Sequence, residues 1–146
     1  MKLCPIAHWK KHRPNALAFP SLTFAEFDEL IQKICHFLIN IPEAILSFAP
    51  QKTPIDLALF FAAWRLRKAV YPLNPRLPPD AVQERIEKTK SAWIETGKIP
   101  LTRSYDIANI YPNCLATLIE TSSASKIACH TLQNHMISAK SVCKAL

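Results

Sequence analysis

The sequence predicts an α/β domain with a mostly parallel sheet and flanking helices. Three observations carry this. Helical and strand-like segments alternate along the chain, which is the order that produces a parallel sheet with helices on its faces. Two of the helical segments open on capping signatures. The chain has 146 residues, 49% hydrophobic and 20% charged, which matches one globular domain rather than a disordered segment.

The first helix begins at Leu22-Thr23-Phe24-Ala25-Glu26. Thr23 can cap, and Glu26 three residues on completes a capping box. Phe24, Phe27, Leu30, Ile31, Ile34 and Leu38 recur at helical spacing, and Asp28, Gln32 and Lys33 are assigned to the polar face. Residues 44–49 form a short apolar strand. Thr53-Pro54-Ile55-Asp56 opens a second helix, with Thr53 as cap, proline in the first turn and an acid favourable to the helix dipole. That helix runs to about Arg67 and is apolar nearly all round, so it is expected to be buried on most sides. Ala69-Val70-Tyr71 is a second strand, stopped by Pro72, and Leu73 to Asp80 is a proline-rich connection. A polar, exposed helix spans Ala81 to Lys90, and Ala92-Trp93-Ile94 is a third strand.

Residues 95–114 show no pattern and read as a loop. Leu115 to Ile119 is a fourth strand and Ile127-Ala128-Cys129 a fifth; a helix from Leu132 to Ala145 follows, capped by Thr131. The organisation is therefore one domain over 1–146. It has an α/β part at 1–94, the loop at 95–114, and a final segment at 115–146. There is no internal repeat and no low-complexity tract.

The net charge is +7, from 18 Lys+Arg against 11 Asp+Glu, which favours anionic partners. Two basic clusters, Lys10-Lys11-His12-Arg13 and Arg65-Leu66-Arg67-Lys68, read as solvated surface. No helix-turn-helix, RNP-like or zinc-finger pattern accompanies the charge, so nucleic acid is not the expected partner. Five cysteines, odd in number and widely spaced without a CxxC pair, read as reduced thiols. Cys129-His130 and His135 lack metal-ligand spacing. The N-terminus has no secretory apolar core. The longest apolar run, Leu57 to Trp64, is far below the roughly 20 residues of a membrane span. A cytoplasmic protein with no membrane partner is expected.

The segment from Ala116 to Thr131 has the outline of a phosphate-binding loop. An apolar run leads into Thr121-Ser122-Ser123-Ala124-Ser125-Lys126, and a second apolar run follows. Hydroxyls can bond phosphate oxygens, and a lysine can supply a point charge. What is missing is glycine, which lets backbone N–H groups turn toward a phosphate. The chain holds one, Gly97, where average usage would give roughly ten. The competing reading is a serine-rich turn between two strands.

Four places in order resemble the adenylate-forming superfamily, the acyl-CoA synthetases and their relatives. They are His8-Trp9-Lys10-Lys11 with Ala16-Leu17-Ala18, the helix start at Leu22 to Phe27, the turn Tyr71-Pro72-Leu73-Asn74-Pro75-Arg76-Leu77-Pro78, and Ala116 to Ala139. The family loop resembles T-S-G-S-T-G-x-P-K. Thr121, Ser122 and Lys126 match its threonine, first serine and lysine. Ser123 stands where glycine is expected, Ala124 where serine is, and Ser125 where threonine is; the Gly-x-Pro before the lysine is missing. Arg67 stands where the family has glycine after the buried helix, a place suited to left-handed backbone.

The resemblance implies the N-terminal subdomain of that fold, and ATP with magnesium and coenzyme A as the reactants. It also implies an acid–CoA ligase reaction. The degenerate loop would be the nucleotide phosphate contact, formed by Thr121, Ser122, Ser123, Ser125 and Lys126. The family's acyl pocket, adenine contacts, magnesium acid and mobile C-terminal lobe would lie beyond Leu146. The chain is therefore read as a truncated or divergent ligase, inactive on its own and with no catalytic residue to assign. The alternative is a non-catalytic interaction module, self-associating or docking a separately encoded remainder. For that role Trp64 and Phe60 are candidates beside their ordinary place in a core.

Overall fold

The computed structural model describes residues 1–121 and 126–145. In chain order the elements are β1 (Lys2–Leu3), α1 (Pro5–His12), β2 (Leu17–Phe19), β3 (Leu22–Thr23), α2 (Phe24–Leu38), β4 (Ile45–Phe48), α3 (Pro54–Arg65), β5 (Ala69–Pro72), α4 (Pro79–Thr89), β6 (Ala92–Trp93), β7 (Asn109–Ile110), β8 (Leu115–Glu120), β9 (Ile127–Thr131) and α5 (Leu132–Ala145). The main sheet has the order β6-β4-β5-β8-β9. Its pairs are parallel except β8 with β9, which is antiparallel. The mostly parallel α/β architecture expected from the alternation is present.

The two helix starts form as their sequences dictate. In α2 the Glu26 amide donates to the Thr23 hydroxyl at 3.2 Å, and the Thr23 amide donates to the Glu26 carboxylate at 2.8 Å. In α3 the Asp56 carboxylate takes the amides of Thr53 and Gln51 at 2.8 and 2.9 Å. Helix α3 stops at Arg65, and Arg67 follows with φ 58°. That is the left-handed conformation for which glycine is the usual choice.

Two layers of side chains cover the sheet. Leu46, Phe48 and Val70 pack with Phe27, Ile31, Ile34 and Leu38 of α2 and Ala58, Leu59, Ala62 and Ala63 of α3. The alternate residues Ala69, Tyr71 and Leu73 pack with Leu77 and with Val82 of α4. Helices α3 and α4 therefore lie on opposite faces. No residue of α4 is buried, as its polar sequence predicts, and it starts two residues earlier than expected because Pro79 suits the first turn.

Three sequence expectations are corrected. Asp28, assigned to the polar face of the first helix, is 2% exposed, and Arg65, assigned to a solvated cluster, is 0% exposed. The cause is one ion pair, from the Arg65 guanidinium to the Asp28 carboxylate. Lys10 adds a bond to Asp28 at 2.9 Å, and Arg65 Nη1 reaches the Ile107 carbonyl at 3.0 Å. Lys68, from the same cluster, donates to the carbonyls of Ile41 and Glu43 at 2.6 and 2.8 Å. Finally, the stretch read as a loop carries a 3-10 turn at Thr96–Lys98 and β7, which pairs with β1. Strands of two residues are too short to show a period, so nothing in the sequence marks them. Helix α1 was likewise not foreseen.

Candidate functional site

Strands β4, β5, β6 and β8 run parallel, so the segments that follow them share one edge of the sheet. Four features of the sequence meet there. Ala49 follows β4, the Leu73-Asn74-Pro75-Arg76 turn follows β5, Ile94-Glu95 follows β6, and Thr121 follows β8. The chain leaves β4 for α3 on one face and leaves the neighbouring β5 for α4 on the other. This divergence is a topological switch point, where open α/β sheets hold their ligands. A cleft of about 430 Å³ opens there, lined by Ala49, Asn74, Pro75, Val82 and Trp93 among others.

The phosphate-loop segment connects β8 to β9. Glu120 pairs with Ile127 in the ladder, and beyond it the Thr121 amide donates to the Lys126 carbonyl at 3.0 Å. The Thr121 hydroxyl donates to the same carbonyl at 3.2 Å. Both Thr121 and Lys126 are exposed. Ser122, Ser123 and Ser125 lie outside the described residues. Thr121 and Lys126, the two ends of the expected site, thus meet at a hairpin end on that edge of the sheet. Their own backbones close the turn, so four residues remain between the two bonded ends.

Sequence reasoning missed the polar network beneath this hairpin. Glu120 accepts from the Tyr71 hydroxyl at 2.9 Å and from Arg85 Nε of α4. Burial, and then the bond to Glu120, push the Tyr71 phenol up to about 12. With Glu84, Lys88 and Ile127 these groups line a polar cleft of about 200 Å³. Tyr71 and Glu120 are 49 residues apart in the chain, a separation at which no local pattern signals contact.

His135, weighed in the sequence as a metal ligand, shares a hydrogen bond with the Thr117 hydroxyl at 2.9 Å and stacks on Trp64 at 5.8 Å. Burial and then the neighbouring His130 lower its pKa. Trp64 Nε1 donates to the Ala116 carbonyl at 3.0 Å, and Phe60 packs edge-on to Phe48 and Trp64. Both aromatics are half-buried and belong to the core in part. Among the described residues no group of three or more His, Cys, Asp or Glu could hold a metal.

No protein-family model matches the chain, and no curated protein matches it. Solved structures do. The fold is that of the N-terminal part of the adenylate-forming enzymes. E. coli MenE, solved with an analogue of OSB-AMS, superposes with a TM-score of 0.79 at 21% identity, over 97% of this chain and 36% of that one. The o-succinylbenzoate CoA synthetase of Bacillus subtilis, solved with its acyl-adenylate intermediate, gives 0.80 at 17% identity, over 99% of this chain and 46% of that one. The N-terminal subdomain of Klebsiella oxytoca NpsA gives 0.72 at 13% identity, over 91% and 41%. The chain thus spans less than half the length of each of these three proteins.

Proposed function

We propose that the chain is the N-terminal part of an ATP-dependent acid–CoA ligase of the o-succinylbenzoate–CoA ligase kind, which serves menaquinone biosynthesis in the cytoplasm. In that reaction a carboxylate oxygen attacks the α-phosphorus of ATP and pyrophosphate leaves. The thiol of coenzyme A then displaces AMP from the acyl-adenylate. The observation that carries the reading is the position of the Thr121–Lys126 hairpin end. It sits on the ligand edge, on the strand adjacent to the one that carries the Asn-Pro turn.

The residues present fit one part of this chemistry. The exposed Lys126 ammonium can neutralise a phosphate oxygen, and the hydroxyls of the segment can donate to it. Magnesium would arrive held chiefly by the nucleotide's own phosphates, as that ion commonly does, because Glu120 is already engaged by Tyr71 and Arg85. The remaining steps need groups around the reacting carboxylate.

Calorimetry of MgATP with the purified chain tests the reading, with Lys126→Ala alongside. Micromolar binding abolished by the substitution supports a working loop. No heat at millimolar ATP sinks the nucleotide contact.

One observation favours the second reading, an interaction module. Helix α5 leaves Ile137 55% and Val142 58% exposed. Beside it Pro5, Phe61, Trp64 and Met136 line an apolar groove of about 180 Å³. Apolar surface of this kind promotes docking or self-association. A molecular mass that rises with concentration supports it, and a mass of one chain at all concentrations argues against self-association.

A further inference from the structure

Helix α1 carries two of the chain's five histidines, His8 and His12. A spacing of four puts both on one side of the helix, and their ring centroids lie 4.4 Å apart. Both side chains are exposed. Among the described residues neither imidazole has a hydrogen-bond partner. The backbone beneath them is fixed. The His8 amide donates to the Cys4 carbonyl at 2.9 Å, and the Arg13 amide to the Trp9 carbonyl at 2.7 Å. Ile6 and Ala7 pack against the core from the same helix. Two imidazoles in cis on one metal ion, each with its nitrogen about 2.1 Å from the ion, have ring centres roughly 4.5 Å apart at a right angle and roughly 5.2 Å apart at the tetrahedral angle. The observed separation matches the right-angled arrangement.

We propose that His8 and His12 bind one divalent transition-metal ion of the nickel or copper kind. Imidazole nitrogen suits these ions, and ligands at right angles are those of their tetragonal sites. Water would fill the remaining positions, since among the described residues no third His, Cys, Asp or Glu completes a metal-binding group. The surrounding charge permits a dication. Lys10 lies on the far side of the helix, bonded to Asp28 at 2.9 Å, and the Arg13 guanidinium is turned over the Trp9 ring. Lys11 stays close, and the helix end offsets it. His12 stands in the last turn, where the free carbonyls favour positive charge. The other pair of histidine rings is a poorer ligand set. His130 and His135 have centroids 5.7 Å apart, and His135 is already bonded to the Thr117 hydroxyl. The site on α1 is separate from the Thr121–Lys126 hairpin and does not depend on the ligase reading.

The test is titration of the purified chain with nickel chloride, read by calorimetry and by amide NMR spectra. Binding of a single nickel ion per chain is expected, and the paramagnetic ion should broaden the amide signals of α1 first. His8→Ala and His12→Ala should each weaken binding by at least about tenfold, since losing even a supporting partner of a metal ligand costs about 10–100-fold. Alanine suits an exposed helix position, so both variants should keep the fold. His12→Ala with Arg13→His retains the number of histidines but spaces the two by five, on different sides of the helix. It should bind no better than His12→Ala. His130→Ala should bind as the unmodified chain does. Absence of binding at millimolar nickel overturns the proposal. So does equal binding by the unmodified chain, His8→Ala and His12→Ala, or broadening that begins at His130 or at the exposed Cys129 and Cys143.

Discussion

Replacing Asp28 with Asn leaves the Arg65 guanidinium buried without its counter-ion. Arg65 is 0% exposed and Asp28 2%, so neither group can turn to water. Arg65 would keep one bond, to the Ile107 carbonyl, and its Nε already has no partner. Breaking a buried pair by removing one member costs about 3–5 kcal/mol, against a total stability of about 5–15 kcal/mol for a domain. With a urea slope of about 2 kcal/mol/M, the midpoint should fall by about 1.5–2.5 M. Replacing both partners, Asp28→Leu with Arg65→Met, should recover most of this loss, because no buried charge is then left.

The same pair sets a pH dependence. Burial raises the Asp28 carboxyl, but Arg65 and then Lys10 outweigh it and hold the group below its usual range. A depressed carboxyl contributes stability that is full above its unfolded value, about 3.9. That stability is lost as pH falls through the lower folded value. The gap between the unmodified chain and Asp28→Asn should therefore close below about pH 4. Urea melts at neutral and acidic pH read both effects. A single-variant loss below about 1 kcal/mol, the range of an exposed pair, would refute the burial argument.

Arg67→Gly and Arg67→Ala separate backbone strain from a side-chain contact. Both lose the guanidinium over the Tyr111 ring at 3.8 Å. Only glycine relieves the left-handed strain of about 1–2 kcal/mol, so Arg67→Gly should melt above Arg67→Ala. His135 gives a second pH effect. Its folded pKa is lowered, so the unfolded chain protonates first and stability should decline as pH falls below about 6.5. His135→Gln should flatten that slope in thermal melts between neutral pH and pH 5.

Local chemistry was legible where one segment contains its own cause. The box at Thr23 and Glu26 and the stop at Pro72 each follow from a few neighbouring residues, whereas the left-handed place at Arg67 was suggested only by the family resemblance. Asp28 and Arg65 were misplaced for the opposite reason. Each sits at a position where a charge normally faces water, and only the partner 37 residues away makes burial tolerable. Strands β1 and β7 escaped notice because two-residue pairings carry no period, and their ladder joins residues 2–3 to residues 109–110. The candidate site divides the same way. Thr121 and Lys126 were visible as hydroxyl and cation in one short run. Glu120, one residue earlier, was assigned no role, because its partners Tyr71 and Arg85 lie far from it in the chain.

That network bears on how the hairpin end would meet an anion. Glu120 places a negative charge next to Thr121, and it also ties up the Arg85 cation. Glu120→Gln removes the charge and leaves Arg85 with only its bond to the Ala81 carbonyl at 2.8 Å. If phosphate contact at the hairpin is chiefly electrostatic, the neutral variant should bind MgATP several-fold tighter, and added salt should erase the gain. If Glu120 instead matters by fixing the end of β8, the variant should bind more weakly at every salt concentration. Tyr71→Phe decides between the two, since it removes one bond to Glu120 and changes no charge. A loss of binding in Tyr71→Phe comparable to that in Glu120→Gln would mean that geometry, not charge, governs this edge.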